Sequence, residues 1–286
     1  MRRYLGLEHC QEAIVSMTSE PYSPTEDEDN PFAHDPSVEP TLTPLWREAG
    51  WPFEWMRLRT SAVYFGCGIP RGHGEPVLLI PGFMAGDALM LELHRWLKRI
   101  GYRSYLSNIA WNNDCPDRTA RMLATRLHAI RRRHGRPVRL VGHSLGGMLA
   151  KSLLQDHPGA IDRIVTLGSP FRSLVKAHPA VVGIWDQLKN TRSRLVGRNL
   201  HASCGTGHCL CSFVKNLVQP EPRDVPQFAI YSRKDGVADW SSCIEEQPSA
   251  NTEVDCTHIG MVVHPEVFRA IAVRLAERTH PDRSTV

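Results

Sequence analysis

A chain of 286 residues has room for one large domain or two small ones, and its 42% apolar and 22% charged residues are ordinary for a globular fold in water. The net charge of +4 exerts no strong pull toward nucleic acid, and none is expected as a partner. The densest basic run, Arg131-Arg132-Arg133-His134-Gly135-Arg136, closes a helical pattern, where cations suit the helix dipole. No stretch of about eighteen apolar residues occurs, so no transmembrane helix is expected.

At the N-terminus, "MRRYLGLEHCQEAIVSM" lacks the continuous apolar core of a secretory signal, because Glu8, His9, Gln11 and Glu12 interrupt it. A cytoplasmic location is therefore expected. Residues 1–40 read as a disordered or loosely attached lead-in: positions 19–40 are Pro-rich and acidic, with no Lys or Arg, and cannot bury enough apolar surface to order themselves. Residues 41–66 form an aromatic-rich extension carrying Trp46, Trp51, Phe53, Trp55, Met56 and Leu58. It suits either a helix packed on the main domain or, through residues 41–60, peripheral contact with a membrane surface.

The main domain is expected over 67–286. Pro76–Ile80 is an unbroken apolar run ending at Pro81-Gly82, as a buried parallel strand would. A helix is predicted over 87–100, a strand over 102–109, and a helix over 116–133 with Ala120, Leu123, Leu127 and Ile130 on one face. Then come a strand (137–142), a helix (146–156), strands at 161–170 and 227–232, and a closing helix from Pro265. This alternation predicts an α/β fold: a mainly parallel sheet with helices on both faces. Residues 171–226 break the rhythm and are expected to be a cap or lid insertion.

The eight cysteines are expected to be mostly free thiols. Cys204, Cys209 and Cys211 lie near His201 and His208, but their spacing lacks the paired CxxC of a zinc site. Cys243 and Cys256 bracket a late loop that a disulfide between them would restrain.

The chemistry centres on "LVGHSLGGMLA", residues 140–150. Gly142-His143-Ser144-Leu145-Gly146 fits G-x-S-x-G, with a strand before it and a helix after it. The glycines leave room for a sharp turn that exposes Ser144 as a nucleophile. A serine needs a base, and the base an orienting acid. Asp235 follows a late strand and precedes Gly236, which makes it the expected acid, with Asp239 as competitor. His258 lies before the closing helix and is the expected base; His264 competes but adjoins Pro265 and reads as a helix-entry residue. His143 is too close to Ser144 on a tight turn to serve it. Backbone N–H groups of Leu145 and Phe83 are the expected oxyanion donors.

Taken together, "VLLIPGF", "VRLVGHSLGG", "IVTLGSPF", "IYSRKDGV" and the pair "THIGM" and "HPEVF" resemble the α/β-hydrolase superfamily, and within it bacterial lipase-like and esterase-like members. The resemblance spans about residues 76–278. It implies hydrolysis of carboxylic esters by Ser144, Asp235 and His258, with a small-molecule or lipid ester as substrate and no metal or organic cofactor. Many relatives carry His-Gly where this chain has Pro81-Gly82; backbone donors survive that change. Acyl transfer on the same fold, or a binding protein that has lost its chemistry, are the alternatives.

Overall fold

The computed structural model describes residues 43–172, 212–220, 222 and 224–277. The expected lead-in, most of the expected lid and the Cys204/Cys209/Cys211 cluster lie outside the described residues.

Among the described residues six strands form one sheet in the order β2-β1-β3-β4-β5-β6, and every neighbouring pair is parallel. They are β1 (Pro76–Ile80), β2 (Arg103–Leu106), β3 (Val138–His143), β4 (Ile161–Leu167), β5 (Gln227–Tyr231) and β6 (Asn251–Glu253). The helices are α1 (Trp51–Thr60), α2 (Leu91–Arg99), α3 (Pro116–His134), α4 (Leu145–Asp156), α5 (Ser212–Val218) and α6 (Pro265–Ala276).

The alternation of side chains along each strand feeds two cores. Val77 and Leu79 of β1 join α2 (Leu93, Trp96, Leu97) and α6 (Val267, Phe268, Ile271) on one face. Leu78 and Ile80 join α3 (Leu123, Leu127, Ile130) and α4 (Leu149, Leu153) on the other. Because both faces of β1 are covered, its five residues are all buried, and the strand reads as a continuous apolar run.

Several element ends differ from the sequence expectation for local reasons. α2 begins at Leu91 rather than 87 because the Asp87 carboxylate is turned back, accepting from Ser107 N and Oγ and from Asn108 N. The same bonds end β2 at Leu106, and Asn108 takes φ 68°. β4 ends at Leu167, where Gly168 turns with φ 52°. β6 has only three residues, Asn-Thr-Glu, and no apolar signal in the sequence. The tail of the expected insertion is part of the body: Phe213 and Val214 of α5 are buried in the core, and Asn216 Nδ2 donates to Ser152 O and Asp156 Oδ2 of α4.

The extension ahead of β1 both packs and exposes apolar groups. A 3-10 turn (Leu45–Gly50) leads into α1, whose Leu58 is fully buried while Trp55 Nε1 donates to Glu92. On the outer side Trp46 and Phe53 remain 76% and 73% exposed. Among the described residues no helix is long and apolar enough to cross a membrane.

Candidate active site

Strand order reverses between β1 and β3: the chain moves from β1 outward to β2, then returns to pair β3 on the other side. A crevice opens at the C-terminal ends of strands flanking such a switch, and ligands of open α/β sheets bind there. Ser144 stands at that point, between β3 and α4.

Its backbone is strained. Ser144 has φ 53° and ψ −124°, a region that L residues rarely occupy and that clusters at functional sites. The bond from Ser144 N to Leu167 O (2.8 Å) fixes the turn to the end of β4. The surrounding glycines are needed for space: a Cβ on Gly142 would run into the Gly146 backbone, and one on Gly146 into the Ile80 carbonyl. Ser144 caps α4, whose first N–H groups lack intrahelical partners and favour negative charge.

The Pro81–Ala85 loop lies beside this turn. A Cβ on Gly82 would come within 3.0 Å of Ser144 Cβ. Phe83 therefore follows directly on a residue touching the serine, and Leu145 opens α4 on the other side. Asn112, unmarked in the sequence, holds the loop: its Nδ2 donates to Pro81 O (2.9 Å), its N–H to Ala85 O (2.7 Å), and its carbonyl accepts from Met84 N (2.9 Å). Met84 adopts φ 58°, a second strained residue in the same loop.

Asp235 and His258, separated by 23 positions, are brought together: Asp235 Oδ2 lies 2.6 Å from His258 Nδ1. The other carboxylate oxygen accepts from Val237 N and Ala238 N, both at 2.8 Å, which fixes the acid's orientation. With Nδ1–H donated to Asp235, Nε2 is the nitrogen left to accept a proton. Burial works against a charged imidazole at His258, but the charge and hydrogen bond of Asp235, helped by the charge of Glu48, carry its pKa above the ordinary histidine value. Gly168 makes the approach feasible, because a Cβ there would lie 3.0 Å from Asp235 Oδ2 and 3.1 Å from His258 Nδ1.

The competitors have other work. Asp239 caps a short turn, accepting from Ser241 N and Oγ. His264 caps α6, its Nδ1 accepting from Glu266 N, and its Nε2 faces Arg57. His143 is buried, and burial, with His258 nearby, pushes its pKa down to about 3. The neutral ring packs 4.7 Å from the His258 ring and donates from Nε2 to His258 O at 3.0 Å. This contact also places the His258 loop against the residue that precedes Ser144.

The extension supplies residues that sequence reasoning missed. Glu48 is buried, accepting at Oε1 from Gly236 N and His258 N (3.0 Å each) and at Oε2 from Ile259 N (2.9 Å). Glu54 accepts from Thr257 N (2.8 Å) and Thr257 Oγ1 (2.7 Å), and Thr43 Oγ1 donates to Lys234 O. Cys243 and Cys256 are both free and buried, and burial raises both thiol pKa values. Among the described residues no group of three or more His, Cys, Asp or Glu is gathered as metal ligands would be.

This geometry agrees with comparisons to known proteins. A family model described as the alpha/beta hydrolase fold matches residues 75–206. A solved structure of the Bacillus licheniformis lipase BlEst2 in mature form superposes with a TM-score of 0.50 at 18% identity, covering 73% of this chain and 94% of that one. Its propeptide form gives a TM-score of 0.53 at 17% identity, covering 77% of this chain and 54% of that one. No curated protein matches this chain. The fold is that of an α/β hydrolase.

Proposed function

We propose that this protein hydrolyses carboxylic esters with Ser144 as nucleophile, His258 as base and Asp235 as orienting acid. The observation that carries the reading is the 2.6 Å Asp235–His258 pair together with a serine held at φ 53° on a strand-to-helix elbow. A fold shared with a lipase adds support, although a fold by itself does not fix an activity.

In this reading His258 Nε2 removes the Ser144 hydroxyl proton as Oγ attacks the ester carbonyl carbon. The electron pair of the C=O bond moves to oxygen, where N–H groups of Phe83 and Leu145 receive it. Collapse breaks the bond to the alcohol, which leaves with the proton from His258 and yields an acyl-enzyme. Water, deprotonated by the same histidine, then releases the acid and regenerates Ser144.

The test is labelling with a fluorophosphonate probe, followed by hydrolysis of p-nitrophenyl esters of graded chain length, each beside Ser144→Ala. Wild type should label and turn over at least one ester, and Ser144→Ala should do neither. A wild-type protein inert to both sinks the reading; labelling that survives in Ser144→Ala moves the nucleophile elsewhere.

A further inference from the structure

The backbone of His258 is held on both sides of its Cα. Its N–H donates to Glu48 Oε1 and its carbonyl accepts from His143 Nε2, each at 3.0 Å. Glu48 lies 210 positions upstream of His258 and 188 upstream of Gly236, the residue next to Asp235. One carboxylate thus bridges the loop that presents the acid and the loop that presents the base. The fit is close: a Cβ on Gly236 would approach Glu48 Oε1 to 3.1 Å and Thr43 O to 3.2 Å, and one on Gly260 would run into Glu54 Oε2.

We propose that Glu48 is a positioning residue for the base: its carboxylate sets the spacing of the Gly236 and His258–Ile259 loops, which makes the segment ahead of β1 part of the working site. The inference rests on the Ser144–His258–Asp235 reading. Its physical basis is that a general base displaced by about 1 Å can cost about 100-fold in rate. Three N–H groups, those of Gly236 and His258 buried and that of Ile259 half-buried, converge on Glu48, and no neutral side chain of that size satisfies all three. In Glu48→Gln the amide oxygen can replace one carboxylate oxygen, but the NH2 group then confronts a backbone N–H as donor against donor. The groups that face the His258 ring and peptide are Asp235, Glu48 and His143. Removing the Glu48 charge takes away one of the charges that favour imidazolium, so His258 should lose its proton at lower pH.

The experiment pairs ester kinetics with NMR titration of the His258 imidazole in wild type, Glu48→Gln, Glu48→Asp and Glu92→Gln. Glu92 ties α1, the helix that follows the Glu48 turn, to α2 through Trp55 and Arg59, so Glu92→Gln reports weakened docking alone. The expected result is a kcat on the order of 10- to 100-fold lower in Glu48→Gln, with KM within about twofold. His258 should titrate at lower pH in that variant, Glu48→Asp should recover part of both effects, and Glu92→Gln should move only thermal stability. An unmoved His258 titration in Glu48→Gln, or a Glu92→Gln variant that reproduces the loss in kcat, overturns the proposal. If wild type hydrolyses no ester, the hydrolase reading fails and the titration alone decides the role of Glu48. If Glu48→Gln does not fold, Glu48→Asp carries the same two measurements with a smaller expected shift.

Discussion

At the N-terminal edge of the sheet, Asp162 sits between two arginines, with Arg139 Nε at 2.7 Å and Arg163 Nε at 3.0 Å. Those arginines also donate to Leu275 O and Arg274 O at the end of α6. At the C-terminal edge, the carboxylates of Glu48 and Asp235 bind backbone N–H groups and one imidazole instead. The lower cluster pairs full charges and closes the end of the domain. The upper one uses fixed dipoles to hold an imidazole in place. Charge serves cohesion at one edge and orientation at the other, and the positive-φ non-glycine residues among the described residues, Met84, Asn108 and Ser144, all follow the C-terminal ends of strands.

Mutations can break this contrast. Ser144→Ala should lower kcat/KM for the best ester by about 10⁴-fold or more while leaving the unfolding midpoint near wild type. Asp235→Asn should cost about 10³- to 10⁴-fold, because the amide no longer favours the imidazole tautomer with Nδ1–H. Arg163→Met should do the reverse: a loss of about 3 kcal/mol in denaturant unfolding, since Asp162 and the Arg274 carbonyl lose a buried donor, with kcat/KM unchanged in the folded fraction. A fall in kcat/KM in Arg163→Met beyond about twofold would show that the two edges are coupled.

Acid should separate the edges in the same way. The His258 pKa is raised from 6.5, so the neutral base is lost as pH falls through a value above 6.5, and kcat/KM should decline from there. Burial works against the Asp162 carboxylate, but hydrogen bonds from Arg139 and Arg163 hold its pKa below 3.8. Its contribution to stability is present above 3.8 and is lost only as pH falls through the lowered value. A pH profile of kcat/KM beside one of unfolding free energy should therefore show activity disappearing while the fold persists.

What was legible in the sequence was what is local. The elbow is contiguous, and its flanks announce strand and helix. Asp235 follows a recognisable strand and His258 precedes a recognisable helix, and chain order picked out two positions that are in contact. The buried strands were readable because both faces are covered. Glu48 and Asn112 were not, because nothing in "LWREAG" or "WNND" marks a residue whose partners lie far along the chain. β6 was missed for a related reason: its three polar residues are recruited by pairing with β5 rather than by any pattern of their own.

The left-handed backbone at Ser144 has a consequence for how such a chain is selected. A residue held there costs on the order of 1–3 kcal/mol of folding free energy, and glycine would avoid most of it. Neither Ser144→Ala nor Ser144→Gly retains the hydroxyl, so any extra unfolding free energy of the glycine variant is a lower bound on the strain, because the greater freedom of glycine in the unfolded chain works against it. A sequence chosen only to fold would place glycine at position 144. That it carries serine means the firmest version of this protein and the version written in its sequence are different molecules.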